Sequence, residues 1–240
     1  MMKLSVHAYT NPGGRPNNED SIRVVQDGRR GIFALADGLG GHDRGEVASL
    51  LAVASICADG QDLPDREALL ERFQEANRRI LAEQKKPGQE EMRTTAAALV
   101  LDGETARWAH IGDSRIYRIS GGAVTQLTRD HSVTYMKYLG GEISYMDVPH
   151  DDDRSSLLRV LGKLPCAPEG GEGEVLPGDA FLLCSDGFWE FVYNEEMLID
   201  RLKSRTPEEW VKAMLLRHIR RTPPGSDNFS LIAVFAEEEA

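Results

Sequence analysis

Carboxylates in four short motifs carry the chemistry of this sequence: Asn18-Glu19-Asp20, Asp37-Gly38-Leu39-Gly40-Gly41-His42, Ser185-Asp186-Gly187 and Asp227-Asn228. Delivered to one place, such groups repel one another unless cations hold them together. An all-oxygen donor set suits hard ions, and such ions support hydrolysis. An Asp-Gly pair alone is more often a turn than a ligand. Here Asp37 and Asp186 each follow an apolar run, over residues 31–36 and 180–184. Each run reads as a buried strand ending in an exposed carboxylate followed by a tight turn. The sequence contains no Gly-x-Ser-x-Gly elbow and no P-loop, so nothing points to a serine nucleophile or a nucleotide cradle.

The elements that must position these groups follow from periodicity and punctuation. Strands are predicted at 4–10, 21–26 and 31–36, then at 94–101, 105–111, 115–119 and 123–127, then at 180–184 and 229–235. The turns Asp102-Gly103 and Gly121-Gly122 have hairpin chemistry. Helices are predicted at 46–58, at 65–85 with Asp65 as N-cap, at 132–139, at 195–202, and at 207–219 with Thr206 as N-cap and Pro207 in the first turn. Short turns, not crossover helices, join most strands, so the class is α+β with largely antiparallel sheets. Residues 140–173 are the least regular part, and Glu237-Glu238-Glu239 reads as a solvated tail.

At 240 residues the chain is read as one domain with a substantial core. A net charge of −11 argues against nucleic-acid binding. No apolar stretch approaches the roughly 20 residues of a membrane span, and no signal-peptide apolar region opens the chain. Cys57 and Cys184 lie in apolar runs and, with Cys166, form no ligand spacing; they read as reduced thiols of a cytoplasmic protein.

In order along the chain stand Arg15 with Asn18-Glu19-Asp20, Ala36-Asp37-Gly38-Leu39-Gly40-Gly41-His42, Gly112-Asp113-Ser114-Arg115, Leu127-Thr128-Arg129-Asp130-His131-Ser132, Arg159-Val160-Leu161-Gly162, Ser185-Asp186-Gly187 and Asp227-Asn228. This ordered set, over about residues 9–234, resembles the type-2C metal-dependent serine/threonine protein phosphatases in their compact bacterial form. The resemblance implies two stacked, mainly antiparallel β-sheets flanked by antiparallel helix pairs, with 140–173 as a mobile flap beside the site. It implies two Mn2+ or Mg2+ ions and a third, weakly bound one. Asp37 matches the bridging ligand, and Gly38 adds a backbone carbonyl. Asp186 and Asp227 match direct ligands of the second ion, and Asn228 orients Asp227. Glu19 and Asp20 match water-mediated or direct ligands, and Asp113, with Asp186, the third ion. Arg15 matches the residue that grips substrate phosphate. The implied reaction is in-line attack on phosphoserine or phosphothreonine in proteins by a water or hydroxide bridging the two ions, opposing a serine/threonine kinase, in a monomer.

Plainer readings stand beside these: a solvated strand start for Glu19-Asp20, a loop arginine for Arg15, a hairpin turn for Asp113. Two other functions remain open, a phosphoprotein-binding pseudophosphatase and a small-molecule phosphomonoesterase on the same scaffold. Leu39 stands where some similar sequences carry a histidine able to act as general acid. Leaving-group protonation then falls to a metal-bound water or to His42, which also reads as a residue that packs in a Gly-rich turn. Arg93 precedes Thr94-Thr95 where Gly is more usual, with no function read for it. His131 reads as a structural link between sheet and flap. His150-Asp151-Asp152-Asp153 reads as a solvated loop, since three consecutive acids cannot all face one ion.

Overall fold

The computed structural model describes residues 2–39, 44–58 and 63–238. Strands alternate inward and outward side chains, so a strand that is apolar throughout must be covered on both faces. That condition builds the fold. In β3 (Arg30–Leu39), Phe33 and Leu35 join a core between two sheets, while Ile32, Ala34 and Ala36 pack under helices. In β11 (Phe229–Glu238), Ile232 and Val234 face the same inter-sheet core, and Leu231, Ala233 and Phe235 face the other helix layer.

One sheet has the order β1-β11-β10-β7-β8, with β1 Met2–Asn11, β7 Arg115–Ser120, β8 Ala123–Gln126 and β10 Ala180–Cys184. The other has the order β2-β3-β5-β6-β9, with β2 Asp20–Gln26, β5 Ala96–Asp102, β6 Thr105–Ile111 and β9 Glu169–Glu174, and the short β4 (Arg93–Thr94) pairs with the far end of β3. Every strand pairing among the described residues is antiparallel. Helices α1 (Gly45–Ile56) and α2 (Arg66–Glu83) cover the second sheet, with Ala48, Ala52, Leu69 and Phe73 in its outer core. Helices α5 (Asn194–Lys203) and α6 (Pro207–Arg221) cover the first through Met197, Trp210, Val211 and Met214. The expected sandwich and the Asp65 and Thr206 N-caps are present; each cap side chain accepts a backbone N–H three residues on.

Several expectations change. Asp37 does not end its strand: β3 runs on through Gly38 and Leu39, which pair with Thr94 and Arg93. Asp186 opens a helical turn, α4 (Asp186–Trp189), in place of a tight turn. Glu237 and Glu238 are strand residues, opposite Lys3 and Met2; Glu239 lies outside the described residues. Within 140–173 stand a 3-10 turn at Tyr145–His150 and all but the last residue of β9. Gly170 and Gly171 are required there, because a Cβ on either would fall 2.6 Å from Trp108 on the neighbouring strand. The thiols of Cys57, Cys166 and Cys184 are free, and burial pushes the Cys57 thiol up to about 12.

Candidate active site

Glu19, Asp37, Asp113, Asp186 and Asp227, from five separate places in the chain, line one cavity of about 450 Å3 together with Arg15, Gly38 and Asn228. Its backbone frame is built by hydroxyls. Thr95 N–H donates to Asp37 O at 2.9 Å and the Thr94 hydroxyl donates to the same oxygen at 2.8 Å. The Thr95 and Ser114 hydroxyls bond at 2.7 Å, which ties the Asp37 strand to the β6–β7 turn that presents Asp113. Gly112 makes that turn at φ 96, and a Cβ there would meet Thr95 at 2.6 Å. Packing alone requires a glycine at position 38. A Cβ on it would collide with Gly45 at the start of α1, at 2.4 Å, and with Glu19 O at 2.7 Å.

Asp20 does not line the cavity. It lies beneath the floor, opposite Asp37 in the β2–β3 register, with Oδ2 accepting the Ser185 hydroxyl at 2.8 Å. Its Oδ1 is buried and has no hydrogen-bond partner among the described residues. Asn228 orients Asp227 through its backbone N–H, at 2.9 Å. Its side chain does something else: Nδ2 donates to Pro12 O and Asn17 O, and Oδ1 accepts Glu19 N–H at 2.8 Å, so it fastens the Arg15 loop to β11. Arg15 reaches Asp227 Oδ2 at 3.0 Å, with both side chains about half exposed. Ser155 and Leu157, from the irregular segment, close one wall.

The electrostatics are those of crowded anions. Burial first, then Asp186 and Asp20, hold the Asp37 carboxyl well above the carboxylate range. Burial, Asp186 and Asp130 do the same to Asp113, against Arg115. Burial raises Asp186, although its hydrogen bond from Asp37 opposes the shift. Burial pushes Asp20 up to about 7, with Ser230 and Ser185 pulling down and Asp186 and Asp227 pushing up. Crowded, buried carboxyls, and a buried carboxylate oxygen without a donor among the described residues, both call for positive charge. Oxygen-only donors suit Mg2+ or Mn2+, so the residues fit such ions. Among the described residues no three acidic, His or Cys side chains already close around one ion.

The other expectations resolve as follows. His131 accepts Gly112 N–H through Nδ1 at 3.2 Å and its carbonyl accepts Leu158 N–H at 2.8 Å, which makes it the link between sheet and irregular segment. Lys137 Nζ holds both Asp151 and Asp153 at 2.8 Å, so that acidic run is paired and not a metal cluster. His42 lies outside the described residues. No helix among the described residues is long and apolar enough to cross a membrane.

The fold agrees with that of solved structures. A family model described as Protein phosphatase 2C matches residues 13–218. The chain belongs to the protein phosphatase 2C family. It is 34% identical over 222 residues to the serine/threonine protein phosphatase PstP of Mycobacterium tuberculosis, which takes in 91% of this chain and 42% of that protein. The chain thus spans less than half the length of that relative. A putative protein phosphatase 2C-type of Streptococcus pyogenes is 32% identical over 235 residues, 94% of either chain. The crystal structure of the PstP catalytic domain in complex with two manganese ions matches at TM-score 0.86 and 30% identity, over 99% of this chain and 100% of that one.

A stability test follows from Asp20. A carboxyl whose folded pKa exceeds its unfolded one stays protonated in the fold while it ionises in the unfolded chain. The metal-free fold therefore loses stability as pH rises from about 4, the ordinary carboxylate value, toward about 7. A bound dication reverses that penalty. Mn2+ is expected to raise the melting temperature more at about pH 7.5 than at about pH 5. A melting temperature unmoved by Mn2+ at both pH values would rule out the metal site.

Proposed function

We propose that this chain hydrolyses phosphoserine and phosphothreonine in proteins with two bound Mn2+ or Mg2+ ions, as the counterpart of a serine/threonine kinase. The observation that carries the reading is the convergence of Glu19, Asp37, Asp113, Asp186 and Asp227 with Arg15 on one open cavity. Ions held there supply charge neutralisation for phosphoryl oxygens and a lowered pKa for water. The chain's own residues do the rest. Asp37, Asp186, Asp227 and Glu19 in the wall would provide the negative charge that holds the ions, with Asp20 beneath them. Asp113, with Asp186, would hold a third, weaker ion. Arg15 offers a planar fork to the phosphate and keeps part of its charge on Asp227. Leu39 lines the cavity and has no proton to give, which leaves water in the cavity or His42, outside the described residues, to protonate the leaving oxygen. Residues 140–173 act as a flap, supported by Ser155 and Leu157 in the cavity wall.

The deciding assay compares a phosphothreonine peptide with p-nitrophenyl phosphate, with Mn2+ and with excess chelator. Turnover of the peptide that stops in chelator is expected; undiminished turnover in chelator would sink the reading. Arg15→Ala is expected to raise KM for the peptide by about tenfold while leaving Mn2+ affinity, followed by calorimetry, nearly unchanged. An unchanged KM with weakened Mn2+ binding would assign Arg15 to Asp227 alone.

A further inference from the structure

Three cavities run into one another across the mouth of the site. The carboxylate cavity shares Arg15, Ser155, Asp186 and Asp227 with a second, of about 350 Å3, on the α4 side. It shares Leu39, Ser155 and Leu157 with a third, of about 390 Å3, on the β4 side. Ser155 is common to all three, so they form one groove. An extended chain advances about 3.3 Å per residue. The neighbours of a phosphorylated residue seated in the middle therefore fall into the flanking cavities.

The β4-side cavity is basic, in a chain whose net charge is −11. Among the described residues its lining has two cations, Arg93 and Lys163, against one carboxylate, Glu91. The backbone beneath both cations is tightly fixed. Arg93 pairs with Leu39 across the ladder, one strand from the carboxylate cavity. Thr94 and Leu161 exchange two backbone hydrogen bonds, at 3.2 and 2.9 Å, which brings the segment before Lys163 alongside β4. Gln84 Nε2 then donates to Met92 O and Gly162 O, both at 2.8 Å, and Gly162 N–H donates to Asn77 Oδ1 at 2.7 Å. The cationic heads, by contrast, are under-used. Arg93 bonds Glu91 through one terminal nitrogen, and its Nε is buried without a partner among the described residues. No carboxylate among the described residues pairs with the exposed Lys163.

We propose that Arg93 and Lys163 form a specificity subsite for an anionic group beside the phosphorylated residue, so that the preferred substrates are acidic or multiply phosphorylated segments. This rests on the phosphoprotein reading above and names the substrate class for that site. The recognised chemistry is an anion at one extended residue's reach. It is supplied either by an Asp or Glu side chain or by a second phosphate. Arg93 bonds Glu91 through one terminal nitrogen only, and its charge together with the Lys163 ammonium suits either anion. The pairs lie near solvent, so each contributes modestly and salt weakens both.

The test uses labelled phosphothreonine peptides that differ only in flanks: alanine, glutamate, or a second phosphothreonine. Binding is read by fluorescence anisotropy and turnover as kcat/KM with Mn2+, for wild type, the double variant R93Q/K163Q and the charge-conserving R93K/K163R. p-Nitrophenyl phosphate, which has no flanks, reports the central cavity alone. Wild type is expected to favour an anionic flank by about fivefold, a preference that shrinks in about 1 M salt. The glutamine variant is expected to treat all flanks alike while p-nitrophenyl phosphate turnover stays within about twofold of wild type, and R93K/K163R to keep the preference. Preference for the glutamate peptide alone, or for the doubly phosphorylated one alone, identifies the anion. Equal binding and turnover across flanks in wild type, or full preference in R93Q/K163Q, overturns the proposal. Flank-dependent binding without turnover of any peptide leaves the subsite standing and removes the phosphatase reading; neither binding preference nor turnover removes both.

Discussion

Asp37→Asn is expected to lower turnover by at least about a hundredfold and, at the same time, to raise the melting temperature of the metal-free protein. The two effects have one cause. Asp37 sits among Asp186, Asp20 and Asp113, and its backbone is fixed by Thr94 and Thr95. An amide of the same shape leaves that frame intact and removes one member of a mutually repelling set. The metal-free fold gains what the repulsion cost. The ions lose the charge that holds and positions them, and a metal centre supplies several kcal/mol of barrier lowering, at about 1.4 kcal/mol per tenfold in rate. Active sites commonly trade stability for function in this way. Near-wild-type kcat with saturating Mn2+, or a lower metal-free melting temperature, would show that Asp37 is not the centre of the cluster.

The largest stability effect is expected away from the cavity, at Asp130. Its carboxylate receives Arg115 Nε at 3.0 Å and Nη2 at 2.6 Å, with both side chains no more than 3% exposed. The guanidinium also lies 3.4 Å from the centre of the Trp189 ring, whose Nε1–H donates to Asp113 O at 3.0 Å. Asp130→Ala strands a buried cation. Losing one partner of such a pair costs about 3–5 kcal/mol, or about 10 °C in a domain of this size. The check is thermal or urea unfolding of Asp130→Ala beside Arg115→Met/Asp130→Leu, which removes both charges and is expected to recover much of the loss. If the single variant melts within a degree or two of wild type, the pair is not holding the fold.

Much of the sandwich was legible because its central strands are buried on both faces, so β10 and the stretches 96–101 of β5 and 231–236 of β11 appear as unbroken apolar runs. β9 was not, because Glu-Gly-Gly-Glu-Gly-Glu lacks every strand signal and owes Gly170 to the carbonyl and Gly171 to the indole of Trp108. α4 and β4 are too short to carry a period. In the site, the carboxylates were legible from motif and order. Their depth was not: that Asp20 falls below the cavity floor depends on the β2–β3 register and on Ser185 from the other sheet. The Thr94-Thr95 hydroxyls beneath Asp37 and the ties from the Asn228 side chain were missed for the same reason, since both span sequence distances that no local pattern records. Thr94 and Thr95 had one faint signal, two hydroxyls buried at the head of an apolar strand.

The strand that delivers Asp227 comes last along the described chain yet lies inside its sheet, between β1 and β10. Ribosomes release a chain from its N-terminus, so β1 emerges without its one strand partner among the described residues, which lies more than two hundred residues downstream. Pairing at such separation closes a very long loop and is slow. Until it happens, the β1 and β10 edges stay open to other chains, an aggregation-prone interval in which chaperones have reason to act. The same event brings Asp227 and Asn228 to the cavity and fastens the Arg15 loop. Nascent protein therefore gains its complete carboxylate ring only on insertion of β11, and a newly made molecule is inactive until its sheet is closed.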